Sequence, residues 1–334
     1  MALTQVQPDF DPEHELALIA EQQAGAFTRQ QALTAGFGPG AIEWRLRHRV
    51  WRRIRRGVYA STDQLGRLDG AGLHLLAASA QMLAMVGELA VSHRSAAAVH
   101  RLPCIGEPPT APVLTRPARG AWESSTSPLL RLAPLPLEHV VMLRGVRVTS
   151  PARTVIDVAR ESGLSQGLLV ADAALRAGLS RVALAQVAAF CRLWPGAHAA
   201  NDVVRLADPR AESALESLGR VGMYTQGVPA GELQLVVIRD GVQLARTDHG
   251  WPALRVIGEA DGMAKYDSGA VLRAEKLRQE RLEDCGLTVF RYTWAEALHR
   301  PKLLADRFWR AVEVASHRTL RPGVQLLPTG DRRW

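Results

Sequence analysis

The sequence predicts a multidomain α/β protein, and three observations carry that expectation. Residues 14–62 hold short helical segments followed by a basic alternating stretch that turns at a glycine. Residues 63–200 are Ala/Leu-rich and mainly helical, a mixed α/β connecting region. Residues 201–334 read as helix, three strands, helix and strand. With 334 residues, 47% of them hydrophobic, the chain can bury several cores. No run of about 18 apolar residues is present. The opening "MALTQVQPDFDPEHE" is acidic and has neither a basic leader nor an apolar core, so a cytoplasmic protein is expected. Cys104, Cys191 and Cys285 are odd in number, far apart and without a CxxC pair, which fits a reducing compartment and argues against zinc.

A net charge of +8 and a pI of about 10.1 favour a polyanionic partner. Of the 41 basic residues, only Lys265, Lys276 and Lys302 are lysine. This skew makes each surviving lysine worth inspecting.

In the first part, Leu16, Ile19 and Ala20 repeat at helical spacing, Gly25 closes that helix, and Thr28 is placed to cap the next. "FGPGAIEWRLRHR" supplies a turn, a proline near the first helical position, and a third helix with Ile42 and Leu46 on one face. "VWRRIRRGVYAS" then reads as a hairpin. Three helices and a basic hairpin make a winged helix-turn-helix, whose third helix enters the major groove while the wing grips the backbone. Arg45, Arg47, Arg49, Arg52, Arg53, Arg55 and Arg56 fall on that helix and wing, and residues 44–57 contain no acid. They are the expected contacts to double-stranded DNA; a solvated basic face is the plainer alternative. Trp44 and Trp51 read as packing residues.

The connecting region is helical over 66–101. It then has short strands in "APVLTRP" and "GVRVTSPARTVIDVAR", and two helices split at Gly178 with Ser180 as a cap. His93, Ser95 and His100 invite a nucleophile-and-base reading, but no acid lies between Leu89 and Ile105 to orient a histidine. Capping and packing are the expected roles. "RLWPGAHAAND" (192–202) reads as a closing loop.

In the last part, "DPRAESALESLGRVGM" is a helix with Asp208 as its cap, and Asp240-Gly241 marks a two-residue hairpin. If the next turn centres between Ala253 and Leu254, Asp248 faces Glu259 and Arg246 faces Asp261. Two facing carboxylates repel, and a shared hard cation such as Mg²⁺ would relieve that. Arg246 could neutralise Asp261. Glu212 and Glu216 share a helix face from which one could reach the same place, and Lys265 follows the next turn. These residues are either a metal-dependent phosphodiester-cleaving centre or the charged edge of an ordinary sheet.

"RTDHGWP", "RVIGEADGMAKY" and "AEKLRQERLEDCGLTVFRYTWAEAL" together resemble the carboxy-terminal domains related to very-short-patch-repair endonucleases, over about residues 208–298. That resemblance implies the PD-(D/E)XK, restriction-endonuclease-like fold, with Asp248 and Glu259 as metal-binding acids and Glu216 as the helix acid. It also implies that the usual catalytic lysine position is occupied by Asp261, so that Lys265 would have to substitute from another direction. "GAFTRQQALTAGF" with "RRIRRGVYA" resembles the winged helix of AbiEi-type antitoxins, autoregulators of type IV toxin–antitoxin systems. It implies a DNA-binding transcriptional regulator, paired with a cognate toxin, whose nuclease-like domain adds a second nucleic-acid contact. The alternative is a Mg²⁺-dependent endonuclease that the winged helix delivers to DNA.

Overall fold

The computed structural model describes residues 11–118, 129–262 and 269–329. Compact packing groups Met1–Glu161 with Val182–Ala200, and Ser162–Arg181 with Asn201–Trp334. One change of unit falls between Ala200 and Asn201. The first change of unit falls where helix α7 (Pro151–Arg176) is broken by Gly163, whose φ of 80° and ψ of −175° no helix accommodates.

The first unit begins with α1 (Pro12–Glu21), β1 (Phe27–Thr28), α2 (Arg29–Thr34), α3 (Pro39–Arg47), β2 (Trp51–Arg55) and β3 (Val58–Ser61), the strands ordered β1-β3-β2. Thr28 and Gln31 form a reciprocal capping box at α2, and Gly38 caps α3 with Pro39 at its first position. Helical spacing turns Leu16, Ala20, Ala32 and Ile42 inward onto Phe27, Phe37, Trp51 and Tyr59. Trp51 meets Phe27 and Phe37 edge-on at 4.8 and 5.0 Å, which locks the hairpin to the helices. Arg53 pairs with Tyr59 and Arg55 with Val58, so the wing turns over Arg56 and Gly57.

The next stretch departs from expectation. Between α4 (Thr62–Arg67), α5 (Gly70–Leu83) and α6 (His93–Val99) lies the two-residue strand β4 (Ala90–Val91). It is the centre of a sheet ordered β6-β5-β4-β8-β7, with β5 (Leu114–Pro117), β6 (Leu130–Ala133), β7 (Val140–Leu143) and β8 (Val146–Thr149). Two residues are too few to show a period, so the sequence reads straight through them as helix. After α7, α8 (Arg181–Phe190) follows Ser180 as expected. The expected loop at 192–202, however, is partly α9 (Ala197–Leu206).

In the second unit, α10 (Ala214–Thr225) starts six residues later than the expected cap. Ser213 holds the Glu216 amide, while Asp208 binds the Arg210 amide in a local turn. β9 (Glu232–Arg239) and β10 (Val242–Trp251) turn over Asp240 and Gly241, both at positive φ. β11 (Val256–Ala260) runs antiparallel to β10. α11 (Gly269–Asp284) then returns the chain to β12 (Thr288–Tyr292), parallel to β11. α12 (Trp294–His299), α13 (Pro301–Ser316) and β13 (Val324–Leu327) complete a sheet ordered β12-β11-β10-β9-β13. Leu235, Val237, Ile257, Leu282 and Leu287 form one of its cores.

Candidate functional site

Two charged regions emerge, one in each unit. In the first, Arg47 closes α3, Arg49 follows in the left-handed region at φ 58°, and Arg52, Arg53, Arg55 and Arg56 line the wing. All six are exposed, and their side chains have no hydrogen-bond or ion-pair partner among the described residues. Arg49, Arg52 and Arg53 share one open concavity with Leu46, Trp51 and Thr62. Guanidinium groups left uncompensated on a helix and an adjoining hairpin can donate to phosphate oxygens without first breaking an internal pair.

Arg45 behaves differently. It ion-pairs with Glu13, and its guanidinium lies 4.5 Å over the Phe37 ring and 5.4 Å from that of Trp51. Its charge is spent inside the domain, where it clamps α3 to α1, so the contact set narrows to six arginines. Trp44 departs from the packing role expected of it: it is 50% exposed and stacks on His48 at 4.4 Å. Trp51, at 4% exposed, is the packing residue of the two.

In the second unit, the pairs His249 with Gly258, Gly250 with Ile257, and Trp251 with Val256 follow the register inferred from the turn. Continued one step, that register places Asp248 opposite Glu259, and Asp248 Oδ2 accepts the Ala260 amide at 2.8 Å. Burial and then the Asp248 charge push the Glu259 carboxyl up to about 7, against the opposing pull of Arg278. Arg278 donates to Glu259 Oε2 at 2.9 Å, while Glu259 Oε1 is buried with no hydrogen-bond partner among the described residues. Glu216 is also raised, chiefly by burial, with Asp248 adding to it; Gln234 and the Glu212 amide donate to its Oε2. Tyr292 feels all three carboxylates, and its hydroxyl sits 2.7 Å from His249 Nε2.

Glu216, Asp248 and Glu259 are therefore brought together from a helix and two strands. Among the described residues, however, no group of three or more His, Cys, Asp or Glu is disposed to hold a metal ion. The expected pairing of Arg246 with Asp261 is replaced: both terminal nitrogens of Arg246 bind Glu212 at 2.8 Å, and Glu212 lies just before the first residue of the helix. The Asp261 amide donates to the Tyr292 carbonyl. Lys265 lies outside the described residues.

Residues 14–62 match the family model of the transcriptional regulator, AbiEi antitoxin. The match spans α1 through β3, the segment that carries all seven arginines of the expected interface. Two uncharacterized proteins of Mycobacterium tuberculosis, MT2308 from strain CDC 1551 / Oshkosh and Rv2248 from strain H37Rv, are each 29% identical to the chain over 271 residues. Each alignment covers 79% of this chain and 93% of the relative. The similarity thus extends well beyond the AbiEi segment. No helix among the described residues is long and apolar enough to cross a membrane.

Sequence reasoning missed two features. Arg278 arrives at Glu259 from α11, nineteen residues on, with no local pattern to announce it. The absence of acids near His93 in sequence is also misleading, because α7 supplies them. His93 Nε2 is 3.9 Å from Glu161, and Asp157 adds its charge from the same helix. Burial outweighs both acids and lowers the His93 pKa, and Ser92 Oγ lies 2.9 Å from its Nδ1. His100 and Ser95 tie α6 to distant backbone: His100 Nε2 lies 2.8 Å from the Thr149 carbonyl, and Ser95 accepts the Val113 amide.

Proposed function

We propose that this chain is a cytoplasmic, DNA-binding transcriptional regulator of the AbiEi antitoxin type. Its winged helix holds double-stranded DNA through Arg47, Arg49, Arg52, Arg53, Arg55 and Arg56, and its partner is a cognate toxin. The observation that carries this is the set of six exposed guanidinium groups without partners among the described residues, on the helix and hairpin that a winged helix applies to DNA. The test replaces Arg47, Arg49, Arg52 and Arg53 with Ala and measures binding to duplex DNA by fluorescence anisotropy at moderate salt. The variant should lose most of its affinity, and unchanged binding refutes the reading.

A second reading is supported by one feature, the buried and partnerless Oε1 of Glu259 opposite Asp248. A carboxylate oxygen with no donor suits a hard cation, so Asp248 and Glu259 fit Mg²⁺ as a pair. When bound, such an ion would supply charge neutralisation and an activated water for phosphodiester hydrolysis. Arg278 keeps Glu259 oriented, and the buried Tyr292 hydroxyl is paired with His249. Asp261 occupies the position where the related fold usually carries its lysine, and Lys265 would have to act instead. Plasmid incubated with Mg²⁺ and either the wild type or Glu259→Ala tests this reading: only the wild type should nick it, and equal or absent nicking refutes it.

A further inference from the structure

The face of α3 that points away from the domain carries a side-chain set unlike that of the wing. Ile42 is buried and Arg45 is clamped on the inner side, so Glu43, Trp44 and Arg47 form the outward stripe, at spacings that share one helix face. Gly40 begins that stripe, and a methyl group there would meet nothing within 4 Å, so its lack of a side chain is not demanded by packing within the protein. Glu43 and Arg47 have no side-chain partners among the described residues. Trp44 is held in place, since the His48 ring stacks on it at 4.4 Å and His48 Nδ1 lies 2.9 Å from the Trp44 carbonyl.

A glutamate in the middle of a DNA-binding helix needs a reason, because it repels phosphate. We propose that Glu43, Trp44 and Arg47 are the specificity-determining residues of the domain, reading base edges in the major groove, while the wing arginines supply affinity that is blind to sequence. The inference rests on the DNA-binding reading above. Arg47 presents the fork that matches guanine O6 and N7, and Glu43 can accept from the amino group of cytosine. Trp44 offers an apolar face to a thymine methyl. A stacked, pre-set indole loses little freedom on binding, which makes His48 a positioning residue. The short recognition element therefore contains a guanine, a cytosine and a thymine, each facing one of these three residues.

In vitro selection from a randomised duplex library tests this, using the full chain and its Glu43→Ala, Trp44→Ala and Arg47→Ala variants. The wild type enriches a short motif. Each variant relaxes the preference at one position of that motif by roughly ten- to a hundred-fold, with the salt dependence of binding unchanged. Glu43→Ala also binds random DNA more tightly than the wild type, because an anion within the groove, repelled by the phosphates that flank it, has gone; a merely structural residue would move neither readout. The assignment is overturned if Glu43→Ala and Arg47→Ala select the wild-type motif unchanged. It is equally overturned if Arg47→Ala weakens all sequences alike and lowers the salt slope by about one. Wild-type protein that binds duplexes without enriching a motif overturns it while leaving DNA binding intact, whereas no binding at all overturns the regulator reading as well.

Discussion

Salt dependence offers a quantitative test of the wing, because each phosphate neutralised releases counterions and steepens the fall of affinity with salt. Arg49, Arg52, Arg53, Arg55 and Arg56 are exposed and have no side-chain partner to break among the described residues. If each meets one phosphate, log affinity falls against log salt with a slope of about −4.5, from about 0.9 per contact. Raising salt from about 50 to about 200 mM then weakens binding roughly 500-fold. Replacing Arg49, Arg52, Arg53 and Arg55 with Ala leaves one contact, a slope near about −1, and a loss of only about fourfold over the same range. Anisotropy titrations of a labelled duplex across that salt series give both slopes. Arg45→Ala is the internal contrast. Its guanidinium is engaged by Glu13, Phe37 and Trp51, so the slope should stay put while the domain loses about 1 kcal/mol of stability. A quadruple variant whose slope stays steeper than about −3, or an Arg45→Ala variant that flattens it, refutes the assignment of contacts.

Three further outcomes follow from buried features. Glu259 is pushed up to about 7 from an ordinary 4.5, so the folded chain binds its proton more tightly than the unfolded chain. Stability from this group is complete below about pH 4.5 and declines as pH rises through about 7, by roughly 3 kcal/mol in all. Urea unfolding in buffer free of divalent cations should therefore show a fall from pH 5 to pH 8 that Glu259→Gln lacks; parallel pH profiles would count against it. Asp172 is fully buried and accepts the Asp208 amide, the Ser217 hydroxyl and Arg220, so Asp172→Ala should cost about 3 kcal/mol in thermal or urea unfolding by stranding those donors. Gly145 turns the β7–β8 hairpin at φ +77°, and a methyl group there would lie 1.6 Å from the Gln22 carbonyl oxygen. Gly145→Ala should destabilise the protein by at least about 2 kcal/mol, and a wild-type melting temperature would contradict that geometry.

The parts of the fold that the sequence foretold are those governed by neighbours in the chain. Thr28 and Gln31 cap α2 from three residues apart, Pro39 opens α3, and Asp240-Gly241 turns a hairpin. Each depends on backbone geometry that a few residues dictate. The register that sets Asp248 opposite Glu259 was legible for the same reason, because a single short turn determines it. The central sheet of the first unit was legible only in part: the strands expected in "APVLTRP" and "GVRVTSPARTVIDVAR" stand as β5 and β8, but the strand between them was not foreseen. β4 is two residues long, and its partners come from residues 114–149, so no local period announces it.

Charge followed the same division. The sequence alone determined that seven arginines would fall on one helix and hairpin and that two carboxylates would face across a turn. Only the tertiary structure decided which of those charges were already spent. Glu13 takes Arg45, Glu212 takes Arg246, Arg278 reaches Glu259, and Trp44 is left exposed against His48. The physical reason is range. Caps and turns are settled within a few residues, whereas an ion pair or an exposed ring depends on which distant segments the packed core brings within about 3–4 Å of it.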